Sequence, residues 1–168
     1  PTPEVTANTP RQTLFVIPTE TPVPTGAQPE PDVTETPEPT PEQPAGTVIG
    51  SGAFDSETGV GLNTHTVWTA AEQPDGSVKL TLSVYVRSYT MEIGRRAIGI
   101  SVNGVEASGM TRSFSVNSPN AQTDTLIYSY ATTVEKGSVT ISVDWNYKGQ
   151  YSGQELDVIS SSTIVPIS

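Results

Sequence analysis

Val78-Lys79-Leu80-Thr81-Leu82-Ser83-Val84-Tyr85-Val86-Arg87 alternates apolar and polar residues without a break. Successive side chains of a β-strand point to opposite faces, so a period of two predicts a strand with one face in a core and one in solvent. Val139, Ile141, Val143, Trp145 and Tyr147 alternate with Ser138, Thr140, Ser142, Asp144 and Asn146 in the same way. Clean alternation of this kind belongs to antiparallel sheets that bury one face each. No stretch of the chain carries a convincing helical period. The expected core is Val78, Leu80, Leu82, Val84, Ile100, Val102, Val139, Ile141, Val143 and Trp145. Trp68 has two readings, because Thr66 and Ala70 share its face while Val67 and Ala71 alternate with it.

Turn chemistry divides the rest. Pro74-Asp75-Gly76 separates a strand near Thr64–Ala71 from Val78–Tyr89. Asn103-Gly104 predicts a two-residue hairpin between Ala97–Val102 and Val105–Ala107, since both residues tolerate positive φ. Asn117–Gln122 reads as a loop. Glu135-Lys136-Gly137 joins Thr123–Val134 to Ser138–Tyr147, Lys148–Glu155 reads as another loop, and Leu156–Ile167 closes the chain. Short strands at such spacing predict an all-β, antiparallel β-sandwich of seven to eight strands, immunoglobulin-like in broad architecture. The Cys-Trp-Cys framework of antibody domains is absent, because the chain has no cysteine. That also removes disulfides, thiolate metal sites and cysteine nucleophiles.

Residues 1–46 differ from everything after them and hold twelve of the fifteen prolines. Proline fixes φ and donates no backbone hydrogen bond, so a tract such as Thr36-Pro37-Glu38-Pro39-Thr40-Pro41 predicts extended, polyproline-like segments. Too little apolar surface is available to offset ordering entropy, and the expectation is a disordered stalk over 1–46 ahead of a folded domain over 47–168. Threonines beside prolines are candidate O-glycan acceptors. One run breaks the pattern: Leu14, Phe15, Val16 and Ile17 form a β-prone piece that reads either as linker or as a strand pairing with a sheet edge.

The stalk sets one arginine against seven acidic residues, a charge of −6, which leaves −4 of the total −10 to the domain. Nucleic acid is not an expected partner, because phosphate binding needs clustered Lys and Arg and Arg95-Arg96 is the only basic pair. No run of about 18 apolar residues is present. The expected setting is extracellular or attached to a cell envelope, with a membrane entering only through an N-terminal anchor upstream of Pro1: a signal peptide, a lipoprotein signal or a single membrane helix.

Ser51-Gly52-Ala53-Phe54-Asp55-Ser56-Glu57-Thr58-Gly59, Leu62-Asn63, Tyr89 with Gly94-Arg95-Arg96, Val102-Asn103-Gly104 and Val143-Asp144-Trp145-Asn146-Tyr147-Lys148-Gly149-Gln150-Tyr151-Ser152-Gly153 follow one another in that order. Together they resemble an uncharacterised β-sandwich module of secreted and surface proteins of Gram-positive gut bacteria. The resemblance spans Gly50 to Ile167. It implies a fold and an extracellular setting and supplies no mechanism.

Candidate chemistry is sparse. His65 is the only histidine, and no Gly-x-Ser-x-Gly elbow accompanies it. The domain's carboxylates fall mostly at turns and outward positions, and a small sandwich has little room for the cleft a glycosidase needs. Asp55-Ser56-Glu57-Thr58-Gly59 has the polarity of a calcium loop without EF-hand spacing, and reads more simply as a turn. No metal, cofactor or catalytic residue is therefore expected. The aromatics carry more. Tyr85 lies opposite the buried valines of its strand, and Arg87 and Tyr89 continue that outward stripe, with Tyr151 beyond a later strand. Exposed tyrosines beside polar side chains suit the apolar face of a sugar ring, although sheets also pair aromatics for stability. The sequence thus reads first as a non-enzymatic structural, adhesive or protein-interaction module, with a cell-surface or host protein as partner. Its alternative is a carbohydrate-binding module that uses Tyr85, Arg87, Tyr89 and Tyr151.

Overall fold

The computed structural model describes Gly46–Ser168. The alternating strand quoted first is β3 (Val78–Ser88). It lies in a four-stranded antiparallel sheet with β1 (Thr47–Asp55), β2 (Asn63–Glu72) and β8 (Thr123–Val134), in the order β1-β2-β3-β8. The second alternating stretch is β9 (Gly137–Trp145). It joins β5 (Ala97–Val102), β6 (Val105–Met110) and β12 (Ile159–Ile167) in a sheet ordered β12-β9-β5-β6. Two short pairs complete the twelve strands among the described residues: β4 (Met91–Ile93) with β7 (Phe114–Val116), and β10 (Gly149–Tyr151) with β11 (Gln154–Leu156).

The chain changes sheets after β3, after β6 and after β8, so that β8 returns to pair with β3 and β9 returns to pair with β5. That exchange makes the fold an all-β antiparallel sandwich of the immunoglobulin-like kind. Eight strands build its two sheets, and the four short ones decorate their connections.

Each residue expected in the core is buried. Val78, Leu80, Leu82, Val84 and Val86 of β3 line one inner face; Ile98, Ile100 and Val102 of β5 and Val139, Ile141, Val143 and Trp145 of β9 line the other. Trp145 is fully enclosed, with its ring centroid 5.3 Å from that of Tyr147 at a tilt of 59°, within the tilted geometries aromatic pairs prefer. Asn103 and Gly104 take φ of 49° and 78°, the two positive values that a tight β5–β6 hairpin demands.

Three expectations change in detail. Thr47–Asp55 carried no strand prediction, and it forms β1 against β2. Gly50 and Gly52 erase the apolar alternation there, yet they serve the packing: a Cβ on Gly52 would stand 2.8 Å from Trp68 Nε1, and one on Gly50 would stand 3.2 Å from Trp68 Cζ3. The two glycines therefore clear space for the indole, which settles Trp68 on the inner face with Thr64, Thr66 and Ala70. Lys148–Glu155 is not a plain loop but holds the β10–β11 hairpin, turned by Ser152 and Gly153 at φ of 50° and 82°.

Truncation of Trp145 to Ala should destabilise the domain by about 3–5 kcal/mol, the usual cost of emptying a packed aromatic site, as read by denaturant unfolding. Gly52→Ala should also destabilise, by about 1–3 kcal/mol, because the new methyl must displace the Trp68 ring; a melting temperature equal to that of the parent would show that the indole can move aside freely.

Candidate functional site

Strands β3 and β9 end at the same pole of the sandwich, because β8 runs straight into β9 at the opposite pole through Glu135-Lys136. Tyr89 leaves β3 at this pole, and the chain leaving β9 supplies Tyr147 and then the β10–β11 hairpin. A hollow of about 510 Å³ opens between them, lined by Val60, Tyr89, Thr90, Met91, Glu92, Tyr147, Gln150, Tyr151 and Ser152.

Local hydrogen bonds fix the aromatic walls. The Tyr89 N–H donates to the Tyr151 hydroxyl at 3.2 Å, and the Tyr147 hydroxyl donates to the Gln150 carbonyl at 2.8 Å. Gly149 lets the Tyr147 ring lie close, since a Cβ there would be 3.3 Å from Tyr147 Cε1. Lys148 takes φ of 47° and donates its N–H to the Asp157 carbonyl at 2.9 Å, which starts the hairpin. Arg96 reaches across from the far side, where its Nε donates to the Tyr147 carbonyl at 3.1 Å. Burial pushes the Tyr147 phenol above its ordinary pKa, Tyr151 adds to the rise, and Arg96 opposes it, so the phenol stays a neutral donor. Tyr89 is the open ring of the group, 41% exposed, and it rests beside Gly61.

Of the four residues expected to bind a ligand, Tyr89 and Tyr151 are thus brought together. Tyr85 and Arg87 take part in a different cluster, on the outer face of the first sheet. Cross-strand register puts Asp55, His65 and Tyr85 in one row and Asn63, Arg87 and Asp124 in the next. Arg87 donates from Nε to Asp124 Oδ1 at 2.8 Å and from Nη2 to Asp124 Oδ2 at 2.9 Å, a two-pronged pair, and its Nη1 reaches Asp55 Oδ1 at 3.2 Å. His65 Nδ1 lies 2.8 Å from the same Asp55 oxygen, and its ring centroid is 6.2 Å from that of Tyr85. The hydrogen bonds from Arg87 hold the Asp124 carboxyl below the ordinary carboxylate range, against the opposing effect of partial burial. This arrangement engages Nε, Nη1 and Nη2 of Arg87 in an intramolecular network that links β3 to β1 and β8, with His65 of β2 joined through Asp55.

Asp55-Ser56-Glu57-Thr58-Gly59 is closed by bonds of its own. The Thr58 hydroxyl donates to the Leu62 carbonyl at 2.6 Å, and the Ser56 hydroxyl accepts from the Thr64 N–H at 2.8 Å. Among the described residues no group of three or more His, Cys, Asp and Glu could hold a metal ion. A second, broader hollow of about 690 Å³ lies on the outer face of the second sheet over Gly99. Ser101, Glu106, Ser108, Asp144 and Ser160 are among its walls, and no aromatic ring is. Leu14, Phe15, Val16 and Ile17 lie outside the described residues.

Sequence reading missed Glu92 and Gln150, which sit in a three-residue strand and in a hairpin without apolar alternation. The usable signal was the repeated spacing Trp145-x-Tyr147-x-Gly149-x-Tyr151-Ser152-Gly153. Its residues prove to be a core anchor, a ring, the glycine under that ring, a second ring and a tight turn. The chain matches no protein-family model, no curated protein and no solved structure.

Because the Asp124 carboxyl is depressed in the folded state, the stability it contributes is full above the unfolded value of about 3.9 and disappears as pH falls through the folded value. Both partners are about one-third exposed, which limits the contribution to below about 1 kcal/mol. Asp124→Asn should therefore lower stability slightly at pH 7 and flatten the acid limb of a pH–stability curve below about pH 4; an unchanged acid limb would remove the pair from the account.

Proposed function

We propose that this chain is a non-enzymatic, extracellular binding module that takes carbohydrate in the tyrosine-walled hollow at one pole of its sandwich and is carried on a Pro/Thr-rich stalk. The observation that carries this reading is the convergence of Tyr89, which follows β3, with Tyr147 and Tyr151, which follow β9, on one hollow that also holds Glu92, Gln150, Thr90 and Ser152. A sugar ring offers an apolar C–H face and a rim of hydroxyls. The exposed Tyr89 ring suits the first, and carboxylate, amide and hydroxyl groups suit the second. Concave sites with an aromatic lining and a few polar groups are the common form of small-ligand sites. The tyrosine backbone and hydroxyl bonds hold the walls in place before a ligand arrives, which reduces the ordering cost of binding.

A structural or adhesive role through protein contact is the second reading, and β6 favours it. This strand is a sheet edge with Val105 69% and Met110 48% exposed, and such an edge can accept a strand from a cell-surface or host protein. The stalk composition and the acidic balance support an extracellular setting for either reading.

The test is a screen of the full chain against insoluble polysaccharides, purified cell wall, mucin and arrayed oligosaccharides, beside a Tyr89→Ala variant of confirmed folding. Carbohydrate binding that falls tenfold or more in the variant supports the hollow as the site. No binding to any carbohydrate, with capture of a protein lost on Val105→Lys, would move the function to the β6 edge.

A further inference from the structure

The hollow also bears on which sugars it would accept. Of its nine lining residues, Glu92 is the only one with a side chain charged at neutral pH. Glu92 sits at the middle of β4, is exposed, and pairs across to Ser115 rather than to a basic residue. It belongs to none of the ion pairs among the described residues, which join His65 and Arg87 to Asp55, Arg87 to Asp124, and Lys136 to Glu72. Arg95, Arg96, Arg112 and Lys148 at this pole keep their charges, but none of them lines the hollow. Arg96 donates to the Tyr147 and Arg95 carbonyls, and Arg95 donates to the Thr111 carbonyl. Gln150, Thr90 and Ser152 can meet sugar hydroxyls as donors or acceptors, but none can neutralise an anion.

We infer that the hollow selects neutral sugars, and that Glu92 is the specificity-determining residue that turns away carboxylated, sulfated and phosphorylated ones. The inference rests on the carbohydrate reading of this hollow. Its physics is simple. An ionised carboxylate accepts hydrogen bonds from sugar hydroxyls and contributes to binding a neutral ring. The same charge opposes an anionic substituent seated nearby, and no cation in the lining offsets it. Two like charges about 4 Å apart in a water-like dielectric repel enough to weaken binding by about fivefold. Solvent screening makes the discrimination fall as salt rises. The net charge of −10 adds a diffuse repulsion of anionic ligands from a distance, which has to be separated from the local effect.

The experiment is an oligosaccharide array, read with the full chain, in which each neutral glycan is paired with its sialylated, uronic-acid or sulfated counterpart. Titration of the tightest pair by calorimetry follows. The wild type should prefer the neutral member by about fivefold or more. Glu92→Gln should lower that neutral-to-anionic ratio by about fivefold, whatever it does to the neutral affinity itself. Glu135→Gln, at the opposite pole, removes the same net charge and should leave the ratio as it was. Far-ultraviolet circular dichroism and melting curves check that the variants fold, and Glu92→Ala serves as the second variant if Gln perturbs β4. Neutral and anionic members bound equally, or a ratio that ignores Glu92→Gln, would overturn the inference while the carbohydrate reading stands. No binding by any member of the array, in wild type and variants alike, would overturn both.

Discussion

The inner faces of β3 and β9 make the contact on which the rest of this domain depends. β3 is flanked by β2 and β8, β9 by β12 and β5, so each is an interior strand of its sheet. Val78 to Val86 on one and Val139 to Trp145 on the other turn every second side chain inward, and removing that apolar surface from water is the main favourable contribution to folding. The flanking strands take their register from these two. β2 sets Trp68 against Leu82 and Ala70 against Leu80, while β5 sets Ile98 against Trp145 and Ile100 against Val143. A slip of one residue in either interior strand would turn its apolar set to solvent, which is why the pairing is strongly specified.

The candidate site is a consequence of where those two strands stop. Once the apolar faces are stacked, Ser88 and Trp145 end their strands at a common pole, and whatever follows them meets there. Tyr89 follows the first at once. After the second, Tyr147 closes over Gly149, and the turn at Ser152-Gly153 sends the chain back, with the Tyr151 hydroxyl held by the Tyr89 N–H. Trp145, buried beside Tyr147, therefore both anchors the core and sets the position of one wall of the hollow. The glycines and positive-φ residues around it are there for geometric reasons that a description of the motif as a string of letters does not convey.

Much of the architecture is legible in the sequence. The alternation in β3 and β9, the Asn103-Gly104 hairpin and the turn at Pro74-Asp75-Gly76 are local signals, because they depend on backbone sterics and on which side of a strand a residue points. β1 was illegible because its inward positions include Gly50 and Gly52, chosen to admit the Trp68 indole rather than to fill the core themselves. The site was half legible. Tyr89 and Tyr151 stood out as aromatics near strand ends, but Tyr85 and Arg87, on the strand that Tyr89 follows, serve a different cluster, since Arg87 meets Asp124 and Asp55 on neighbouring strands. Separation along one strand could not reveal that division, because it depends on which strands lie on either side.

Local chain chemistry alone thus accounts for the fold class, the face that each long strand buries and the tight turns between them, since each of these follows from steric and hydrophobic rules acting over a few residues. Tertiary structure decided which strand ends share a pole. It brought Tyr89, Glu92, Gln150 and Tyr151 to one hollow and closed Arg87 within an ion network. Those outcomes depend on cross-strand register and sheet order, which arise from packing between residues tens of positions apart, and no window along the chain contains them.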